Sequence, residues 1–330
     1  MFNSLLLKMV RYELGRVKLP FQAGDAPKDA SDTILGIFER GFEIGLMGKG
    51  LEQAETAAEE IAWNRRCFYW EGYACGLAGD ARLRFKPIHP EHLNPTGHYR
   101  SMCFTGYGMW NGLAAKLPFL RIPSEDAAWS QTQDYPSLRP LLIGGDIFGQ
   151  IVFRDGLSKH FLEQAAASGD EIEVLGTQHG FGRALWWFYM DNQEGAQSIL
   201  EQHPNDAQGI AEGVGLAIGF INLADPRRIP KIIEGFDPIY YAALLRGVGV
   251  CLEAMREEHP EYGPRIAKLD VPLLSRAQKL AQMINDDVPH GPMWYAGCAA
   301  RLRKELPSPS QADLNHDTGG AAPEAVSSLG

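Results

Sequence analysis

The chain has 330 residues, of which 45% are hydrophobic and 22% charged, and its formal net charge is −10. This composition is typical of soluble globular proteins. The negative charge argues against nucleic acid as a main partner, because phosphate binding requires clustered Lys and Arg. The five cysteines are an odd number without CxxC spacing, so we expect reduced thiols and a cytoplasmic location. No apolar stretch reaches the roughly 18–20 residues of a membrane-spanning helix.

The first half of the chain predicts helices that are separated by proline-rich loops. Helices are predicted over Ser4–Leu14, Thr33–Met47, Leu51–Asn64, Cys67–Ala78 and Met102–Leu117. Prolines predict loops over residues 85–100 and 118–140, the second with a short helix near Ser124–Gln131. Leu141–Phe153 is predicted to be helical, with a strand as the alternative because it is rich in β-branched residues.

The second half of the chain has a more regular pattern. Helices are predicted over Asp155–Ser168, Glu171–Met190, Gln193–Gln202, Asp206–Leu223, Pro238–Glu258, Pro272–Asn285 and Pro292–Glu305, with a turn from Pro226 to Gly235. Beyond Leu306 the composition is too polar for a packed core. We therefore predict an N-terminal segment (1–30), a single helical domain (31–305) and a disordered tail (306–330).

A short phrase that begins with Gly and contains a second small residue recurs along the chain. Its leading glycines are Gly41, Gly72, Gly106, Gly145, Gly180, Gly213 and Gly247, at intervals of 31, 34, 39, 35, 33 and 34 residues. A period near 34 residues is the length of one helical hairpin, and such self-similarity indicates a repeat architecture. We therefore predict about seven helical hairpins.

Helices with one polar face alternate with helices that are apolar on every side and contain these glycines. A helix that is hydrophobic all round is a buried helix, so the alternation predicts an inner and an outer layer. The predicted fold is all-α, either an α/α toroid or a compact α-solenoid. Each glycine costs about 1 kcal/mol relative to Ala in a helix. We therefore expect the inner glycines to allow close approach of helix backbones and to line a cavity.

The same phrases resemble the UnbL-type enediyne-biosynthesis proteins of bacteria. The resemblance is carried by Phe68–Leu77, Gly106–Trp110, Gly180–Trp186 and Gly213–Ala217, in that order, and covers roughly residues 30 to 305. It weakens at Gly145–Gly149, where Ile147 replaces the expected small residue. No assigned reaction comes with this family. The resemblance implies a setting in specialised metabolism, with a hydrophobic polyene or polyketide-derived intermediate and with polyketide synthase or other pathway enzymes as possible partners.

Charged side chains recur inside the apolar phrases, where they are costly unless they are paired. If equivalent repeat positions face one axis, these side chains converge on a polar pocket, which is the default site in an apolar cavity. The predicted catalytic set is Glu71, Asp146, His179 and Glu212 for proton transfer, with Arg183 and Arg246 as anion-holding groups. The alternative is that they form structural salt bridges between successive helices, for example Glu212 with Arg246.

Aromatic and histidine side chains provide weaker candidates. Substrate-binding aromatics are predicted at Tyr73, Trp110, Trp186 and Tyr240, with ordinary core packing as the alternative. His89, His92 and His98 could bind zinc or iron, but the prolines between them prevent helical i, i+4 spacing, so a solvated loop is the alternative. No nucleotide, flavin or haem motif is present, and we expect no cofactor.

These observations lead to three hypotheses for function. The first is a cofactor-independent enzyme that cyclises or isomerises a hydrophobic polyene or polyketide-derived chain by general acid–base chemistry. The second is a non-catalytic chaperone or carrier of the same pathway. The third is a helical-repeat adaptor that binds a peptide along a concave face.

Overall fold

The computed structural model describes residues 34–88, 99–114, 120–122, 138–190, 192–223 and 225–258, together with Lys8, Leu93, Ala299, Arg303 and Lys304. Over these residues the chain forms eleven α-helices and no strand, which confirms the predicted all-α class for this part of the chain. The helices predicted at 4–14, 124–131 and 272–285, most of the one at 292–305 and the tail at 306–330 lie outside the described residues.

The α-helices follow one another with short connections. They are α1 (Ile34–Leu46), α2 (Leu51–Glu59), α3 (Arg66–Leu83), α4 (Arg100–Leu113), α5 (Arg139–Gln150), α6 (His160–Ser168), α7 (Glu171–Tyr189), α8 (Gln193–Gln202), α9 (Ala207–Ile221), α10 (Arg228–Glu234) and α11 (Tyr241–Glu258). Short 3₁₀ turns precede α3 and α11, and a π-helical turn, Ile151–Asp155, follows α5. None of the described helices combines the length and hydropathy needed to cross a bilayer.

Each of the seven leading glycines lies on a different helix: α1, α3, α4, α5, α7, α9 and α11. These helices are largely buried; in α9, thirteen residues from Ala207 to Phe220 are buried. The helices between them are more exposed, since α2 and α8 bury only two residues each. Buried glycine-bearing helices therefore alternate with exposed helices wherever both are described.

The glycine-bearing helices pack against one another in chain order, from α1 to α3, α4, α5, α7, α9 and α11. The glycines lie at these contacts. A Cβ atom on Gly72 would overlap the carbonyl oxygen of Phe38, and one on Gly106 would overlap that of Glu71. The prediction that the glycines allow close backbone approach is thus confirmed.

The region Leu141–Phe153 is helical, and the strand alternative is wrong. Pro140 lies in the first turn of α5, where its missing N–H costs no hydrogen bond. The π-helical turn that follows ends at Gly156, whose φ of 65° suits glycine. Of the β-branched residues of this region, Ile143 and Ile147 lie in α5, and Ile151 and Val152 lie in the π-helical turn.

Several helix bounds differ from the predicted ones; for example, α2 ends at Glu59 rather than Asn64, and α6 begins at His160 rather than Asp155. Helix α3 continues through Gly79-Asp80 to Leu83, because Gly79 packs under the ring of Trp110 and Asp80 accepts a 2.7 Å hydrogen bond from Arg84 one turn later. The predicted turn at 226–235 contains the short helix α10. Its proline, Pro230, lies in the first turn, where it is tolerated.

Candidate functional site

A cavity lies among the glycine-bearing helices. Its volume is about 50 Å³, within a wider open space of about 690 Å³ that includes solvent. Six helices contribute to its wall: α1, α3, α4, α5, α7 and α9. Its lining consists of Ile34, Leu35, Phe38, Phe68, Glu71, Met102, Met109, Phe148, Val152, Phe153, Arg183, Trp187, Ala217, Phe220 and Ile221. Only two of these side chains are charged.

Those two charged side chains form an ion pair across the cavity. The Arg183 guanidinium, on α7, donates a 2.6 Å hydrogen bond to the Glu71 carboxylate, on α3, although the two residues are 112 positions apart. The same guanidinium lies 5.1 Å from the centre of the Phe148 ring, which is the geometry of a cation–π contact. Glu71 and Arg183 were both predicted as site residues, and the structure brings them together.

A second, smaller cavity lies beside the first. Its volume is about 20 Å³. Met102, Arg183 and Phe220 line both cavities and therefore form their common wall. The remaining lining of the smaller cavity is Ser101, Thr105, Pro140, Leu141, Gly144, His179, Gly180, Leu216 and Ala254. Of the predicted catalytic residues, His179 and Arg183 reach this cavity.

Glu212 is the centre of a buried ionic network. Its carboxylate accepts hydrogen bonds from Arg246 at 2.6 Å and from Arg303 at 2.8 Å, and lies 3.2 Å from His179 Nε2. Burial alone would raise the pKa of Glu212, but the hydrogen bonds from His179 and Arg303 outweigh it and bring the pKa to about 2. Burial lowers the pKa of His179 and keeps the imidazole neutral. The salt bridge predicted between Glu212 and Arg246 is confirmed.

Asp146 is separate from the other predicted catalytic residues. It accepts a 2.8 Å hydrogen bond from Gln150 and a long one of 3.5 Å from Asn111. Burial raises the pKa of Asp146 to about 6, although the bond from Gln150 opposes the shift. Within the described part of the chain it lines neither cavity, and neither do Glu212 and Arg246. The structure thus places the six predicted residues in three groups.

The four predicted substrate-binding aromatics lie in the packed core. Trp186 is fully buried, and Tyr73 and Tyr240 are nearly so. Trp110 donates its indole N–H to the carbonyl oxygen of Leu120 at 2.7 Å. None of the four is among the described residues that line either cavity. Ordinary core packing, the alternative reading, describes their surroundings.

The aromatic wall of the larger cavity is built from other residues. It consists of Phe38, Phe68, Phe148, Phe153, Trp187 and Phe220. One signal in the sequence points to Trp187. It lies four positions after the predicted site residue Arg183 and hence on the same face of α7. The glycines were expected to line a cavity. Gly144 and Gly180 line the smaller cavity, whereas the described lining of the larger cavity contains no glycine.

The weak metal candidates His89, His92 and His98 lie outside the described residues. Among the described residues, no three His, Cys, Asp or Glu side chains come together as metal ligands would. The cysteines Cys67, Cys75, Cys103 and Cys251 are buried as thiols. Burial raises the pKa of Cys75 well above its usual value, so this thiol is protonated at neutral pH and is a poor nucleophile.

Comparison of the chain with protein-family models, with curated proteins and with solved structures finds no match. The resemblance to the UnbL-type proteins therefore stays a prediction. The features that bear on function are the two cavities and the charged groups in their walls.

Proposed function

We propose that this protein binds a slender hydrophobic molecule, such as a polyene or a polyketide-derived chain, as a carrier in bacterial specialised metabolism. The observation that supports this most directly is the wall of the larger cavity, where thirteen of fifteen lining residues are apolar. Ligand sites are typically mostly apolar with a few convergent polar groups. Here Glu71 and Arg183 are those groups.

The dimensions of the cavity favour a thin ligand. Its volume is only about 50 Å³, which is small for a ligand site and leaves no room for a wide chamber. A chain one carbon wide fits such a space better than a fused polycycle does.

We further propose that the glycine-bearing helices form a ring of helical hairpins, an α/α toroid, around this cavity. Support comes from the contribution of six consecutive glycine-bearing helices to one wall. Ile34 on the first of these helices and Ile221 on the sixth line the same space. An open α-solenoid would separate its first and sixth repeats, because each repeat contacts only its neighbours. A peptide adaptor has no comparable support.

Catalysis of a cyclisation or isomerisation is the second candidate function, and one observation favours it. The neutral imidazole of His179, hydrogen-bonded to Glu212, lines the smaller cavity beside Arg183. A neutral imidazole can remove a proton, and a guanidinium can stabilise the resulting oxyanion. Binding has the stronger support, because Glu71 and Arg183 neutralise each other and leave the larger cavity without an unpaired acid or base among its described residues.

Binding can be measured with a conjugated tetraene fatty acid, whose absorption overlaps tryptophan emission. Trp187 in the cavity wall should transfer its excitation to the bound polyene, so we expect saturable quenching. Ala217→Leu adds three carbon atoms to the wall, and we expect it to weaken binding about tenfold or more, as overpacking a tight site does. Ala166→Leu makes the same change on the exposed face of α6 and should bind normally.

The results would separate the hypotheses. Absence of saturable quenching in the wild type, or equal affinities of the Ala217→Leu and Ala166→Leu variants, would contradict binding in this cavity. For the catalytic candidate, the absorption spectrum of the polyene is followed over time with the wild type and with His179→Gln. If the wild type leaves the spectrum unchanged, the protein does not catalyse a reaction of this polyene, and the carrier function is the hypothesis that stays.

A further inference from the structure

The two adjacent cavities differ in polarity. The larger one is apolar except for Glu71 and Arg183. The smaller one has Ser101, Thr105, His179 and Arg183 in its wall. Because Met102, Arg183 and Phe220 belong to both walls, the two spaces adjoin at these residues. A ligand that displaces these side chains would extend from the larger cavity into the smaller one.

The Arg183 guanidinium is the charged group in the described wall of the smaller cavity, and Glu71 balances its charge from the side of the larger cavity. Glu71 lines the larger cavity only, and no carboxylate belongs to the described wall of the smaller one. The nearby imidazole of His179 is neutral, because burial lowers its pKa. The carboxylate of Glu212 is bound by Arg246 and Arg303 and is not part of the described wall. The smaller cavity therefore favours an anionic group over a cationic one.

Arg183 retains the capacity to bind such a group. A guanidinium carries five N–H donors, and within the described part of the chain Arg183 makes one hydrogen bond, to Glu71. Its side chain is 14% exposed, against 6% for Glu71, so the cation is the more accessible member of the pair. Glu71 holds the guanidinium in place and leaves other N–H groups for a ligand.

We propose that the bound molecule is a hydrophobic chain that ends in a carboxylate, with the chain in the larger cavity and the carboxylate beside Arg183 in the smaller one. This inference rests on the proposed function and assigns its ligand class. A monoanion fits better than a phosphate ester, because a single guanidinium already shared with Glu71 cannot neutralise two negative charges. A planar carboxylate also matches the fork of guanidinium N–H donors.

The experiment compares three probes with the same chain: the conjugated tetraene fatty acid, its methyl ester and the corresponding alcohol. We expect the wild type to bind the acid at least about tenfold more tightly than the alcohol, since hydrogen bonds to charged groups contribute that much or more. In Glu71→Gln, Arg183 is no longer shared with a second carboxylate, so we expect the preference for the acid to increase.

The decisive variant is Glu71→Gln/Arg183→Met, which removes both charges and so avoids leaving a buried carboxylate without its cation. It should lose the preference for the acid, so that its affinities for the acid and the alcohol agree within about threefold. Far-ultraviolet circular dichroism checks that each variant is folded.

Two outcomes would overturn the inference while leaving the proposed function intact. These are equal affinities of the wild type for acid and alcohol, or a preference for the acid that survives in the double variant. Binding of none of the three probes would overturn the proposed function, and the inference with it.

Discussion

Neighbouring glycines on α5 provide a direct test of the close helix contacts. A Cβ atom on Gly145 would overlap the carbonyl oxygen of Thr105 on α4 and lie 2.9 Å from its carbonyl carbon. A Cβ atom on Gly144 would have the carbonyl oxygen of Gly176 as its nearest neighbour, at 3.2 Å. The variants Gly145→Ala and Gly144→Ala therefore add the same methyl group to the same helix, in two very different spaces.

The expected magnitudes follow from these distances. Both variants gain about 1 kcal/mol from the higher helix propensity of Ala, and both reduce the freedom of the unfolded chain equally. Carbon atoms prefer separations of about 3.5–4.0 Å, so Gly145→Ala requires α4 and α5 to move apart by more than about half an ångström. Overpacking costs about 1–3 kcal/mol, and here the upper end applies because backbone atoms cannot rotate away. We expect Gly145→Ala to be about 2 kcal/mol less stable than Gly144→Ala.

The free energy of unfolding is measured by urea titration with far-ultraviolet circular dichroism and linear extrapolation. The difference between the two variants isolates the steric term, because the propensity and unfolded-state contributions cancel. Stabilities of the two variants that agree within about 0.5 kcal/mol, near the usual range of neutral substitutions, would refute the close α4–α5 contact.

Two further predictions concern buried carboxylates. Glu212→Gln should lower the free energy of unfolding by about 3–5 kcal/mol, because it leaves Arg246 and Arg303 without their carboxylate. The pKa of Glu212 in the folded protein is about 2. The stability that its carboxylate contributes is therefore complete above pH ~4.5 and lost as the pH falls towards 2. In urea titrations at pH 7, 4 and 3, the free energy of unfolding should fall less steeply with pH in Glu212→Gln than in the wild type. Asp146→Asn should stabilise the protein by about 1 kcal/mol at pH 8 and by nothing at pH 4. The raised pKa of about 6 means that the folded state binds the proton of Asp146 more tightly than the unfolded state does. Ionisation of Asp146 therefore lowers the stability of the wild type as the pH rises through 6. An equal effect of Asp146→Asn at both pH values would contradict that assignment.

Several features of this protein could be read from local sequence. The glycine phrases predicted seven buried helices, and the described helices that carry them pack through those glycines. The pairing of Glu212 with Arg246 was also predictable, because the two residues are 34 positions apart, which is one period of the phrase. A buried carboxylate at one phrase and a guanidinium at the next have few other partners available.

Other features did not follow from local sequence. The ion pair between Glu71 and Arg183 joins helices that are not neighbours in the packing order. The spacing of the phrases does not specify this pair, since it depends on where the tertiary structure places α3 and α7 around the larger cavity. Asp146 follows its leading glycine, whereas Glu71 and Glu212 precede theirs. It bonds to Asn111 and Gln150 instead, so a charged residue within the phrase did not mean convergence on one pocket.

The sequence by itself determined the helical class, the close glycine contacts and the need of each buried charge for a partner. Only the tertiary structure decided which side chains line the cavities. The physical reason is that α3 buries fourteen of its eighteen residues, so its apolar pattern has no single face. When a helix is apolar on every side, only its rotation against its neighbours determines that Phe68 meets the cavity while Tyr73 meets the core.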